Sequence, residues 1–161
     1  MKSIPITKGH EILVDDEDFE KVKSQTWIAN ERYPGLVYAQ ALIKDKLGIR
    51  RTVMLHRFIL CIKSRSLFVD HINGNCLDNR KQNLRIVTHS QNMANSRKKT
   101  IKTSKYKGVH YDKYHCKWRA SIRFNKKLKN IGRFTTEIEA ARAYDKEAIN
   151  IFGAYARPNF S

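Results

Sequence analysis

Between residues 67 and 96 the chain crowds Asp, His and Asn into LFVDHINGNCLDNRKQNLRIVTHSQNMANS, side chains that together can hydrolyse a phosphodiester. That reaction needs an activated water, a cation to stabilise charge on the phosphate, and a fixed line of attack. Asp70 is a hard oxygen donor of the kind Mg²⁺ or Mn²⁺ prefers. Its neighbour His71 belongs to the one side-chain type that titrates unperturbed near neutral pH, so it can take a proton from water. An imidazole base needs its ring held and its tautomer fixed, a task open to a side-chain or backbone oxygen near Asn83. Asn92, or His89 one turn earlier, can complete a metal site, since positions three apart share a helix face. A lone Asp-His pair is ordinarily a surface turn, and Asn-rich loops ordinarily serve backbone turns. The full series, in order, outweighs that reading.

These residues need a scaffold, and the local pattern supplies one. Residues 67–69 read as a strand, Leu84–Val87 as a second, with Asn73-Gly74-Asn75 as the turn signal between them. Thr88-His89-Ser90-Gln91 has the form of a capping box, which starts a helix with Thr88 as N-cap. Asp78 and Asn79 read as turn and capping residues. Upstream, 12–14, 27–29, 37–42 and 51–55 read as strands, with Pro34-Gly35 at a turn. Asp15 or Asp16 can cap a helix over 19–24, and 56–62 reads as another short helix. Residues 1–55 carry no nameable chemistry. Of the other histidines, only His56 is expected near the site.

Val69-Asp70-His71, Asn73-Gly74, Asp78-Asn79, Asn83-Leu84-Arg85 and Thr88-His89-Ser90-Gln91-Asn92, preceded by Leu55-His56-Arg57, resemble the ββα-metal core of HNH nucleases. The likeness is strongest to phage and intron-encoded homing endonucleases, and it covers roughly residues 52–96. It implies His71 as general base, Asp70 as carboxylate ligand of a divalent Mg²⁺ or Mn²⁺, and Asn83 as the asparagine that orients the base. Asn92 matches the last motif position, a metal ligand, with His89 ranked second. The paired cysteines that hold a structural zinc in some HNH proteins are missing.

The C-terminal part has its own pattern. Residues 106–111, Lys117–Phe124 and 129–134 read as strands; in the middle one Trp118, Ala120, Ile122 and Phe124 alternate with Lys117, Arg119, Ser121 and Arg123. A helix over 136–152 follows, with Ile138, Ala141, Tyr144, Ala148 and Ile151 as its buried stripe, a capping box at 136–139 and Gly153 as its stop. Nearly all of residues 104–160 resemble the plant Apetala/ethylene-response-factor DNA-binding domain, including Glu139 to Asp145 and Pro158-Asn159-Phe160. The resemblance implies a sheet laid in the major groove, with Lys107, Trp118 and Arg123 at contact positions and Arg119 and Arg133 as added basic candidates. His110 stands where that family has arginine, Ser121 where it has an acid and Asn130 where it has tryptophan, so base preference does not carry over. For Trp118, core packing is the competing role.

Composition agrees with a polyanion as partner. The 161 residues hold 32 Lys and Arg against 15 Asp and Glu, a formal charge of +17. Residues 97–161 hold 17 basic and 5 acidic residues of these, so the excess lies towards the C-terminus. Cys61, Cys76 and Cys116 make no C-x-x-C pair, which excludes a zinc ribbon and makes a disulfide framework unexpected. No apolar run approaches a membrane span, and no signal peptide is evident, so a soluble cytoplasmic protein of a phage-infected or bacterial cell is expected. The expected fold is α+β: an N-terminal strand-rich region (1–55), a ββα-metal nuclease core (56–96), a basic linker (97–105), and a three-stranded antiparallel sheet packed on one helix (106–161). The expected activity is endonucleolytic hydrolysis of double-stranded DNA by a monomer, with no membrane and no small-molecule substrate. A DNA-binding regulator with an inactive nuclease core is the alternative.

Overall fold

The computed structural model describes residues 1–45, 47–96 and 103–160. Most of the expected basic linker, residues 97–102, lies outside the described residues. The chain divides into two compact units, Met1–Val87 and Thr88–Ser161, and both mix helices with antiparallel sheet.

In the first unit β1 (Lys2–Pro5) pairs with β2 (Glu11–Val14). The short helix α1 (Phe19–Lys23) leads into a meander of β3 (Ile28–Tyr33), β4 (Leu36–Lys44) and β5 (Arg50–Met54), in that spatial order. Gly35 takes φ +76° in the turn joining β3 to β4, a conformation that favours glycine. Helix α2 (Leu55–Ile59) precedes the two-stranded ribbon of β6 (Phe68–His71) and β7 (Leu84–Val87). The strand β1 escapes the sequence pattern because its side chains are mostly exposed and show no buried alternation. The helix expected over 56–62 ends early, because Cys61 adopts a left-handed φ of +53°.

Ile12, Val14, Val22 and Leu55 are fully buried and share one core with Trp27, Ala39, Ala41, Ile59 and Leu84. Each large side chain buried there contributes roughly 1.5–3 kcal/mol. Residues 1–55 therefore do not form a body of their own; they share a core with the ribbon that carries Asp70 and His71.

In the second unit α3 (His89–Asn95) begins with the expected capping box: Gln91 N–H donates to Thr88 Oγ1 at 3.3 Å, and Thr88 N–H donates to Gln91 Oε1 at 2.9 Å. Strands β8 (Val109–Asp112), β9 (Lys117–Phe124) and β10 (Lys127–Phe134) form an antiparallel sheet ordered β10-β9-β8. Helix α4 (Glu137–Phe152) lies on one face, capped by Thr136 and Glu139. Its buried residues are Ala140, Ala141, Tyr144, Asp145, Ala148 and Phe152. Ile138, expected in that stripe, is half exposed, since it sits roughly 120° around the helix from Tyr144. Strand β8 starts at Val109 and not at 106, because Gly108 has φ +76° and a Cβ there would lie 2.0 Å from the Tyr144 ring. The tail is clamped through the buried Asp145, whose carboxylate accepts from the side chain and N–H of Asn159 and the N–H of Phe160. Among the described residues no helix is long and apolar enough to cross a membrane.

Candidate active site

Asp70 and His71 are the last two residues of β6, paired with Arg85 and Leu84 of β7. Both are buried, at 7% and 5% exposure, although they end a strand in a loop-rich region. Burial of such groups is costly unless each is matched. Oδ2 of Asp70 accepts from Nε of Arg85 at 2.9 Å and from Nη2 at 2.8 Å. The ring of His71 meets Asn79, with Nε2 at 3.3 Å from Oδ1.

That contact fixes a tautomer. Asn79 Nδ2 donates to the carbonyl of Cys76 at 3.3 Å, and a carbonyl can only accept, so Oδ1 is the atom that faces the imidazole. Nε2 of His71 then carries the hydrogen, which makes Nδ1 the nitrogen with the basic lone pair. Two more rings wall the imidazole. His56 from α2 stands edge-on at 5.3 Å between centroids, and Tyr38 from β4 at 6.3 Å. Burial holds the His71 pKa below the ordinary histidine value, while Asn79, Asp70 and Asp78 pull the other way. For His56 burial dominates, aided by His71, and pushes it down to about 3. Both rings are therefore neutral near pH 7. Tyr38 is held well above its usual range, chiefly by burial and then by its hydrogen bond with Cys76.

Asn83 does a different job from the one expected of it. Its Oδ1 accepts from Asn73 N–H at 3.0 Å, and its Nδ2 donates to Asn73 Oδ1 at 3.0 Å and to the Asp78 carbonyl at 2.8 Å. These bonds close the loop between β6 and β7, whereas the amide against His71 is that of Asn79, read from sequence as a turn residue. Asp78 supports the same loop, accepting from Nε and Nη2 of Arg80 at 2.8 and 2.7 Å, and the Arg80 guanidinium keeps its carboxyl below the usual range. The N-terminal strands hold the loop in place. Leu13 N–H donates to the Leu77 carbonyl, Asn79 N–H donates to the Leu13 carbonyl, and Lys81 N–H donates to Asp15. Residues without recognisable chemistry thus form the shelf on which the site's loop rests. Tyr38 and its 33-residue separation from His71 left no local signal of proximity.

Asn92 and His89 belong to α3 of the second unit, the former half-buried and the latter exposed. Among the described residues, no three His, Cys, Asp or Glu side chains are grouped to hold a metal, so an all-protein zinc cage does not fit. Magnesium keeps several waters and takes only one or two carboxylates. Asp70, a single buried carboxylate beside an imidazole, fits that demand.

In the second unit the alternation of β9 sends Ala120 and Ile122 into the core beneath α4. The opposite face carries Arg119 and Arg123, with His110 of β8 paired to Arg119 and Arg133 of β10 paired to Arg119 from the other side. Arg119 Nε donates to Asn130 Oδ1 at 3.1 Å, and Arg133 Nε donates to Asp112 Oδ2 at 3.0 Å. Arg123 is exposed. Two expected contact residues point elsewhere. Trp118 packs against the apolar core and stacks edge-on with Tyr111 at 5.1 Å, because its register position shares the face of Ala120. The Lys107 ammonium donates to the carbonyls of Met93 and Ala94 at the end of α3, where unsatisfied carbonyls attract a cation. Burial there lowers it to about 8. Tyr114, which sequence reasoning passed over, is 90% exposed in the turn between β8 and β9.

Residues 65–94 match the family described as HNH endonuclease. A protein of Acanthamoeba polyphaga mimivirus described as an uncharacterized HNH endonuclease is 38% identical over 112 residues. That match takes in 66% of this chain and 57% of the relative, so the chain spans little more than half of the relative's length. No solved structure matches this chain. The HNH endonuclease signature coincides with the ribbon, the loop and the start of α3 that hold Asp70, His71, Asn79, Asn83 and Asn92.

Proposed function

We propose that this protein is a metal-dependent DNA endonuclease of the HNH homing type, acting on duplex DNA bound through its basic second unit. The observation that carries the reading is the buried His71, with its Nε2 against Asn79 Oδ1, next in the strand to the buried carboxylate of Asp70. A base kept neutral at pH 7 is ready to accept a proton.

In the proposed reaction Nδ1 of His71 takes a proton from water as the water oxygen bonds to phosphorus. The bond from phosphorus to the 3′ oxygen breaks, leaving a 5′-phosphate and, after proton uptake from solvent, a 3′-hydroxyl. Mg²⁺ or Mn²⁺ held by Asp70 would supply positive charge to the phosphate and the departing oxygen. Asn92, with His89 second, enters as a further ligand on the sequence motif alone. Asn79 holds the base in its tautomer and Asn83 fixes the loop. Arg119, Arg123, Arg133 and His110 are the proposed DNA contacts of the sheet. One such centre per chain makes nicking of one strand the expected elementary act of a monomer.

The test is supercoiled plasmid incubated with Mg²⁺ or Mn²⁺. Wild type should relax it by nicking, and His71→Ala should lose roughly 10²–10⁴-fold in rate. A second reading has one observation in its favour: Arg85 donates twice to the Asp70 oxygen that a cation would use. Wild type that retards DNA in a gel and never nicks it, in either metal, would establish a DNA-binding regulator instead.

A further inference from the structure

Resting on the DNA-cleaving reading, the geometry points to a second DNA-binding surface, which we propose grips the phosphodiester backbone of duplex DNA. It is a groove of about 1060 Å³ in the first unit, formed by the ends of β4 and β5, helix α2 and the loop that follows α2. Lys21, Lys44, Arg51, Arg57, Lys63 and Arg65 line it, against the single carboxylate of Asp45. Apolar side chains such as Ile43 and Phe58 complete its walls.

The cations divide into two sets. Arg51 pairs with Asp45 at 3.0 Å, Arg57 donates to the carbonyls of Ser64 and Leu67, and Lys21 donates to the Phe58 carbonyl at 3.2 Å. These three brace the groove. Lys44, Lys63 and Arg65 are exposed and have no ion-pair partner among the described residues. Cations gathered without counter-charge repel one another, and a polyanion relieves that repulsion while releasing its own condensed counterions. The exposed lysines and arginine of the lining are the side chains that meet phosphates, so the chemistry suits backbone contact.

Position favours DNA over an acidic peptide. Lys63 and Arg65 sit on the loop that runs directly into β6. Asp70 is five positions beyond Arg65, which caps the distance between their Cα atoms at roughly 18 Å, about half a turn of B-DNA. A duplex presenting a phosphate to Asp70 and His71 therefore has further phosphates within reach of these cations.

The groove contains its own reporter. Cys61 is exposed, lines the groove and lies 3.5 Å from Lys21 Nζ, while Cys116 is exposed in the other unit. The full-length chain, in EDTA so that no strand is cut, is mixed with random-sequence duplex of about 30 base pairs, roughly three turns. Iodoacetamide alkylation of each cysteine is then read by mass spectrometry. With duplex tenfold above its Kd only about one molecule in ten stays free, so Cys61 alkylation should slow roughly tenfold. The triple variant Lys44→Gln, Lys63→Gln, Arg65→Gln should lose most of this protection. It should also lower the slope of log affinity against log salt by roughly 2–3, at about 0.9 per phosphate contact. The triple variant Lys2→Gln, Lys8→Gln, Lys23→Gln, which removes equal charge from exposed lysines outside the groove, should change the slope far less.

The possible failures differ. DNA that binds and is nicked in Mg²⁺ while Cys61 reacts at its free rate would overturn the groove proposal and leave the nuclease standing. Absence of any binding would remove both. Stronger protection of Cys61 by single-stranded RNA or by polyglutamate than by duplex would overturn the assignment of the occupant.

Discussion

In the first unit Asp70, His71, Asp78, Asn79 and Asn83 are all buried; Asp70 is matched by Arg85 across the ribbon, His71 by Asn79, and Asn83 by the Asp78 carbonyl in the loop. In the second unit the described buried polar residues are Asn95, Ser104 and Asp145, and the last clamps the chain's tail onto α4. The arginines of its sheet lie on the face opposite the helix. One unit has thus put its chemistry inside a polar interior and the other has put it on an exterior face over an alanine-rich core. A buried base has to be held by partners, because a half-satisfied polar interior is worse than an apolar one. A surface that meets phosphates needs only a rigid backing. Substitutions should therefore act on function in the first unit and on folding in the core of the second.

The largest effect should come from the packing of the second unit. Gly108 combines φ +76° with a would-be Cβ 2.0 Å from the Tyr144 ring and 2.9 Å from the Ser121 carbonyl. Gly108→Ala adds the left-handed penalty to displacement of a core aromatic, together roughly 2–5 kcal/mol. Gly35→Ala is the control: the same sign of φ, but nothing within 4 Å, so only the backbone penalty of about 1–2 kcal/mol applies. Denaturant midpoints of the two variants measure the difference. Equal losses would mean that the contact with Tyr144 is not what demands glycine.

A smaller effect, and a different kind, is expected at the base. Asn79→Ala removes the oxygen that Nε2 of His71 meets while leaving the Asn83 bonds intact; nicking should fall roughly 10–100-fold, and the buried imidazole left unmatched should cost about 1–3 kcal/mol of stability. Asn79→Asp restores an acceptor and adds negative charge, so activity should recover in part and its acid limb should shift to higher pH. Asn83→Ala strips three hydrogen bonds from the loop without touching His71, so it should lower the melting temperature more and the rate of the folded protein less. If Asn83→Ala abolished nicking in a fully stable protein while Asn79→Ala did nothing, the orienting role would return to Asn83.

This contrast also explains what could be read from sequence. The second unit was legible because its determinants are local. Alternation in β9 sorts faces, and Thr136 with Glu139 marks a helix start, each within a few residues. Tertiary packing there goes beyond the local pattern: Trp118 and Lys107 carry residue types fit for DNA, while the first shares the strand face of Ala120 and the second meets the end of α3. In the first unit Asp70 and His71 declared themselves by adjacency, and Asn83 by motif. The contact of Asn79 with His71 was not legible because Asn79 and Asn83 are the same residue type four positions apart, and only the three-dimensional course of the loop decides which amide faces the ring. Tyr38 and the shelf provided by Leu13 and Asp15 join the site through contacts spanning dozens of residues, which no periodicity encodes.

The gentlest probe of the comparison is pH. His56 and His71 are both held below the histidine value of the unfolded chain, His56 at about 3, and burial is the first cause for each. Between about pH 3 and 6.5 the unfolded chain therefore binds more protons at position 56 than the folded one, and the His71 shift acts in the same direction. Stability should be fully present above about pH 6.5 and should decline on acidification, with a slope approaching about 1.4 kcal/mol per pH unit from His56 and a further loss of the same sign from His71. The depressed carboxyls of Asp78 and Asp112 add losses of the same sign, but only below about pH 4, where the unfolded carboxyls take up protons. The interval from about pH 4.5 to 6.5 thus belongs to the histidines of the buried site. His56→Gln, which cannot titrate, should remove a large part of the slope in that interval, measured as denaturant midpoints at stepped pH. An undiminished slope would mean that the ring of His56 is open to solvent in the folded protein, and the enclosure that keeps His71 neutral would need another wall.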